Sequence, residues 1–261
     1  SEMKRMWKET GKKWLKNNYP SQFILTSRTM NFVGISESSL VEKIPDLLEA
    51  NNPTVAPYAS LETVKLRITC QAKNAKEANA IISPVEAELH KRFGLYFYSK
   101  DDTSLVSVVI DLLRKRNETI SVAESCTGGS LAAAFTSIPG SSDVFLGGVV
   151  AYQDTIKNSV LNVPLDLLEE HGAVSTPVTK SMALGVKKIF KSNRSIAVSG
   201  IAGPTGSTSN KPIGLVALSF IGTNNCNESI QELFGSHRER TDIQKLSVSR
   251  ALDRLRLFLL T

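Results

Sequence analysis

Three kinds of side chain in the stretch Ser121 to Gly129, SVAESCTGG, and in Ala151 to Lys157, AYQDTIK, can do chemistry together. Ile120 to Ala123 reads as a short apolar strand that runs into a polar turn, and the glycines Gly128 and Gly129 open a helix. Ser125 and Cys126 therefore stand side by side at a strand-to-helix turn. The first N–H groups of a helix have no internal partner and lie at the positive end of its dipole, so negative charge developing there is stabilised. Either Ser125 or Cys126 can serve as a nucleophile whose oxyanion is held by backbone N–H groups. A plain Ser/Thr helix cap beside a buried cysteine is the alternative reading of the same residues. A second glycine-bearing loop, SGIAGPTG at 199–206, also follows a strand pattern. Two such loops facing each other across a crevice would present backbone N–H groups to a phosphate or an oxyanion, whereas each taken singly also reads as a common turn.

Composition sets the bounds within which these residues work. At 261 residues, 41% hydrophobic and 21% charged, the chain fits two compact soluble domains. Its longest apolar runs, Val144 to Tyr152 and Ile213 to Ile221, fall well short of the roughly 20 residues of a membrane helix. Cys70, Cys126 and Cys226 are an odd, widely spaced set without a CxxC pair, and no secretion signal opens the sequence, which points to a reducing cytoplasm and away from structural zinc. The net charge of +6 is uneven: residues 1–100 hold 15 Lys+Arg against 10 Asp+Glu, whereas residues 101–261 hold 16 against 15. Six of the cations fall in the first 16 residues, with Trp7 and Trp14 on one helical face. Such a helix suits a nucleic-acid or membrane surface, but is expected instead to dock its apolar stripe on its own protein.

The elements that position the chemistry follow from periodicity. Residues 22–34 read as a strand, and Ser36 to Leu48 as a capped helix broken at Pro45. Asn51 to Ser60, with Pro53 and Pro57, reads as a turn-rich link. Thr63 to Cys70 alternates as a half-buried strand; Ala75 to Phe93 reads as an amphipathic helix disturbed at Pro84, and Leu95 to Tyr98 as a last strand. This makes a small α+β domain over 21–100. No GxxG occurs there, which argues against a clamp for a nucleic-acid backbone. From residue 101 onward strands and helices alternate: helix 105–116, strand 119–123, helix 128–137, strand 144–152, helices near 154–160 and 176–190, strand 195–199, a hairpin over 213–222 and 227–234, and a final helix from about 240 to 260. That order predicts an α/β domain over 101–261 with an appended antiparallel hairpin.

Taken in order, SVAESCTGG at 121–129, PGSSDVF at 139–145 with GGVVAYQDTIK at 147–157, EEHGAVS at 169–175, SGIAGPTG at 199–206 and KPIGLV at 211–216 resemble the C-terminal domain of the competence/damage-inducible CinA family. NPTVAPYAS at 52–60 and its flanks resemble the family's linking domain, so the fold class implied is a three-layer α/β domain preceded by a small α+β, KH-like domain. Residues 1–20 look like the junction from an N-terminal molybdopterin-binding-like domain. The resemblance implies hydrolytic deamidation of nicotinamide mononucleotide to nicotinate mononucleotide and ammonia, in pyridine nucleotide salvage. It implies a Ser/Lys amidohydrolase with neither metal nor cofactor, and a homodimer.

Carried across the motifs, Ser125 is the nucleophile, Lys157 the general base and Tyr152 a relay or orienting group, with Cys126 a bystander. A lysine does this only when neutral, which calls for burial or a nearby cation. Thr127, Gly128 and Gly129 are expected at the oxyanion site. Ser142 and Ser199 assist the dyad or bind the amide, and Gly200, Gly203 and Gly206 approach the phosphate or ribose. Arg238 matches the arginine of a segment that usually reads Gly-Asp-Arg; here it reads Ser236-His237-Arg238, and a further family arginine is replaced near Gln244.

Overall fold

The computed structural model describes residues 2–19, 21–223 and 226–260. The chain divides into two units, one built from residues up to Ala59 together with Thr63–Asp102, the other from Ser60–Glu62 and the residues from Thr103 onward.

The first unit opens with α1 (Glu2–Met6), a π-helical turn (Trp7–Gly11) and α2 (Lys12–Asn18), followed by β1 (Ile24–Val33), α3 (Glu37–Val41), α4 (Pro45–Leu48), β2 (Thr54–Ala59), β3 (Thr63–Ala72), α5 (Ala75–Phe93) and β4 (Phe97–Lys100). The sheet is antiparallel in the order β2-β3-β1-β4. Along β3 the side chains of Val64, Leu66, Ile68 and Cys70 alternate inward and pack with Ile82, Leu89 and Phe93 of α5. Ser36 caps α3 by accepting the N–H of Ser39, and Pro45 starts α4 where the helical pattern breaks.

Three expectations from the sequence are corrected by this unit. The link at 51–60 contains a strand, because β2 lies at the sheet edge, where prolines can be accommodated. Helix α5 runs unbroken through Pro84. The stripe of the opening helices is not docked: no described side chain from Glu2 to Asn18 is buried, and Trp7 and Trp14 are more than half exposed. The sheet's buried residues are covered instead by α5, with α3 and α4 beside β2.

The second unit runs α6 (Leu105–Arg116), β5 (Ile120–Glu124), α7 (Ser130–Thr136), β6 (Phe145–Val150), α8 (Asp154–Leu161), α9 (Leu165–His171), α10 (Thr176–Phe190), β7 (Arg194–Gly200), β8 (Leu215–Ile221), β9 (Asn227–Leu233) and α11 (Arg240–Leu260). Its sheet order is β6-β5-β7-β8-β9. β6, β5 and β7 run parallel, and β8 and β9 add the antiparallel hairpin. Helix α10 packs with α8, α9 and the sheet, while α11 packs with α6 and α7, which makes three layers. β5 is buried along its whole length, as a central parallel strand must be. The chain leaves β5 toward β6 on one side and returns from α10 to β7 on the other, so β5 sits at the reversal of strand order, where open α/β sheets place their ligands.

Candidate active site

The carboxyl ends of β5, β6 and β7 enclose a cavity of about 270 Å³ lined by Ser125, Cys126, Tyr152, Asp154, Lys157, Ala173, Val174, Ser199, Gly200 and Arg240. Ser125 follows β5 directly and is held there by its own N–H, which donates to Val198 O at 2.9 Å. Lys157 lies one turn into α8 and its side chain is 1% exposed. Its Nζ donates to Asp154 Oδ1 at 2.9 Å and to Tyr152 O at 3.3 Å.

Cys126 is buried beside Ser125. Burial pushes its thiol up to about 12, with the charge of Glu124 adding to the effect; its own and Thr127's N–H groups and Arg240 act the other way. A thiol held there stays protonated at neutral pH and is a poor nucleophile. Gly200 leaves room for it: a Cβ at that position would meet Cys126 Sγ at 3.0 Å and Val216 Cγ2 at 2.7 Å.

Glu124, absent from the sequence-based site, organises the turn from beneath. Its buried carboxylate accepts from the N–H groups of Gly129 (3.1 Å), Leu131 (3.0 Å) and Ala132 (2.8 Å), so the start of α7 already holds an anion of its own. The Gly128 N–H donates to Ser125 O at 3.1 Å. These bonds change the expectation for Gly128 and Gly129: both glycines shape the turn through positive φ (+61° and +99°), but their N–H groups are committed elsewhere. The N–H groups of Cys126 and Thr127 bear on the Cys126 sulfur. The Thr127 hydroxyl oxygen is buried without a hydrogen-bond partner.

The remaining expected residues divide. Ser199 lines the cavity, with its hydroxyl donating to Ala173 O at 2.8 Å, and Gly200 lines it as well. Gly203 does not line the cavity; its carbonyl accepts from Arg240 Nη1 at 2.9 Å. Gly206 and Ser142 are exposed and do not line the cavity; Ser142 belongs to the 3-10 turn Ser141–Asp143 that Arg114 fastens through Asp143. Arg238 is also outside it, because its Nε turns back to Phe234 O at 2.8 Å just before α11 begins. Two residues later, Arg240 stands in the first turn of α11, donates to Tyr152 Oη at 3.0 Å and lines the cavity. Gln244, one turn on, donates to Cys126 O at 2.8 Å. The signal for Asp154 was present as a carboxylate three residues before a lysine on a helix; nothing in the spacing alone separated Arg240 from Arg238.

Among the described residues no group of three or more His, Cys, Asp or Glu is placed to hold a metal ion, and no helix is long and apolar enough to cross a membrane.

Comparison with known proteins agrees with this architecture. A family model described as the CinA C-terminal domain matches residues 102–259, and one described as the damage-inducible protein CinA KH domain matches residues 27–99. A CinA-like protein of Prochlorococcus marinus strain SARG is 63% identical over 260 residues, covering 100% of this chain and 61% of its own length. A CinA-like protein of Parasynechococcus marenigrum is 52% identical, covering 100% of this chain and 62% of its own. The chain thus spans about three fifths of the curated relatives it matches. Among solved structures, the competence/damage inducible protein CihA of Agrobacterium tumefaciens is 36% identical with a TM-score of 0.58, covering 60% of this chain and 94% of its own. A CinA superfamily protein of Klebsiella pneumoniae is 30% identical with a TM-score of 0.57, covering 60% and 96%. With a central β5 at the strand-order reversal, the SCTGG turn after it and two matching family models in sequence, the chain belongs to the CinA family.

Proposed function

We propose that the second unit is a nicotinamide-nucleotide amidase that converts nicotinamide mononucleotide to nicotinate mononucleotide and ammonia. The observation that carries this reading is the meeting of Ser125 and the buried Lys157 at one cavity, with Cys126 beside them held as a thiol. The cavity also offers opposite charges, Arg240 and Asp154, which suit a substrate that carries both a phosphate and a cationic ring.

In the reaction, Ser125 Oγ attacks the carboxamide carbon as its proton passes to Lys157 Nζ. The carbonyl oxygen becomes an oxyanion facing the N–H groups of Cys126 and Thr127. Lys157 then gives that proton to the amide nitrogen, the C–N bond breaks, and ammonia leaves an ester on Ser125. Water attacks the ester, its proton going to Lys157 and then to Ser125 Oγ, which releases the carboxylate product. Tyr152 supports the dyad from both ends: its carbonyl accepts from Lys157 Nζ and its hydroxyl from Arg240. The same reading puts the protein in the cytoplasm as a homodimer.

The Asp154 contact favours a second reading, in which Lys157 stays an ammonium and the cavity only holds a nucleotide. Incubation with nicotinamide mononucleotide and a chelator, followed by measurement of ammonia, separates the two. The amidase reading expects turnover that Ser125→Ala and Lys157→Ala abolish and that Cys126→Ala largely spares. Binding without ammonia release overturns it in favour of a ligand-holding module.

A further inference from the structure

Asp154 is the one carboxylate among the described residues lining the cavity, and the amidase scheme gives it no part in the reaction. Its geometry is lopsided. The carboxylate is 59% exposed, whereas the Lys157 side chain it contacts at 2.9 Å is 1% exposed. The amine is therefore sealed in the wall, while its counter-ion keeps an open side toward whatever enters. The other ionisable side chains lining the cavity are Cys126, Tyr152, Lys157 and Arg240. Arg240 is turned to Gly203 O and Tyr152 Oη, and the Cys126 thiol is held uncharged by burial. A positive group arriving at this cavity thus finds a single lining side chain of opposite sign.

A carboxamide on a pyridinium ring has a formal positive charge three bonds from its carbonyl carbon. Bringing that carbon to Ser125 brings the ring charge to the same cavity. Two cations, the ring and the Lys157 ammonium, then compete for one carboxylate. An exposed carboxylate can reorient at little cost, whereas the buried amine cannot follow it.

Resting on the amidase reading, we propose that Asp154 recognises the ring cation of the substrate, and that making this contact loosens its hold on Lys157, so that the charge on the substrate helps to free the base. No bond is made or broken in this exchange; an ion pair changes partner. It makes the site selective for a cationic amide over a neutral one of the same shape, and makes that selectivity a property of one side chain.

The test uses nicotinamide mononucleotide and its reduced dihydropyridine form, which differ chiefly in ring charge. In a Ser125→Ala background, which removes turnover, calorimetry is expected to show the oxidised form binding about tenfold more tightly than the reduced form. Adding Asp154→Asn is expected to bring the two within about twofold, and Asp154→Glu to restore most of the difference. With Ser125 intact, Asp154→Asn is expected to lower the ratio of kcat/KM for the oxidised over the reduced form at least tenfold, because the variant loses the ring contact and releases Lys157 whatever the substrate's charge. Equal loss for both forms, which a merely structural role would give, overturns the proposal; so does discrimination that survives Asp154→Asn, or failure of either form to bind. Ser125-dependent ammonia release with unchanged discrimination sinks this inference alone. Absence of ammonia release from the unmodified chain sinks the amidase reading and this inference with it.

Discussion

Arg240 donates from Nη2 to Tyr152 Oη at 3.0 Å, joining two residues that are 88 positions apart in sequence. Through that bond and the one from Nη1 to Gly203 O, the first turn of α11 is tied both to the loop after β6 and to the glycine loop after β7. A guanidinium fixed at two points is a preorganised partner for a phosphate, since little side-chain freedom remains to be lost when the ligand arrives. Arg240→Ala is therefore expected to raise KM for nicotinamide mononucleotide at least tenfold with a smaller fall in kcat, and Arg240→Lys to recover only part of the loss. Arg238→Ala, whose side chain faces Phe234, is expected to leave KM within about twofold. Steady-state kinetics on the three variants decide whether the arginine that matters is the one facing the cavity.

Glu124 supports the nucleophile turn from inside. It accepts three backbone N–H groups and is 1% exposed, so its removal leaves buried donors without partners, at about 1–3 kcal/mol for each such group. Glu124→Ala is expected to lower the stability of the unit by at least about 2 kcal/mol in chemical denaturation, relaxation limiting the full sum. Glu124→Gln keeps the shape but exchanges one accepting oxygen for an NH₂ donor, which faces N–H groups, and is expected to fall between the two. Unchanged stability in both variants would show that the start of α7 does not depend on this carboxylate.

Cysteine labelling reads the electrostatics of the turn directly. Because burial holds Cys126 up to about 12, its thiolate is scarce at pH 8 and becomes abundant only near pH 12. Cys70 is buried and Cys226 is exposed. Iodoacetamide at pH 8 is expected to modify Cys226 and to spare Cys126 and Cys70 in the native protein, with all three labelled in denaturant; peptide mass spectrometry gives the answer. Rapid native labelling of Cys126 would mean that its thiol, not the neighbouring hydroxyl, is the reactive group of the turn.

Much of the architecture was legible in the residue pattern. Alternation over 63–70 marked β3, helical spacing marked α5, α6, α10 and α11, and the run of strands and helices after residue 101 predicted parallel strands with an antiparallel hairpin, because each depends on a local periodicity that burial enforces. β2 escaped detection because Pro53 before it and Pro57 within it read as a turn, and only its place at the sheet edge makes Pro57 acceptable.

For the site, the residue order alone determined that a serine and a tyrosine sit at strand ends and a lysine on the helix that follows, since motif and strand end coincide in the chain. It did not determine which backbone N–H groups stay available: Gly128 and Gly129 look like open donors until the bonds to Ser125 O and to the Glu124 carboxylate are seen. Nor did it choose between Arg238 and Arg240, because a difference of two positions at the start of a helix is a difference in direction of about half a turn. Directions of that kind are set where α11 packs with α6 and α7, by contacts distant in sequence, so the tertiary structure decided them.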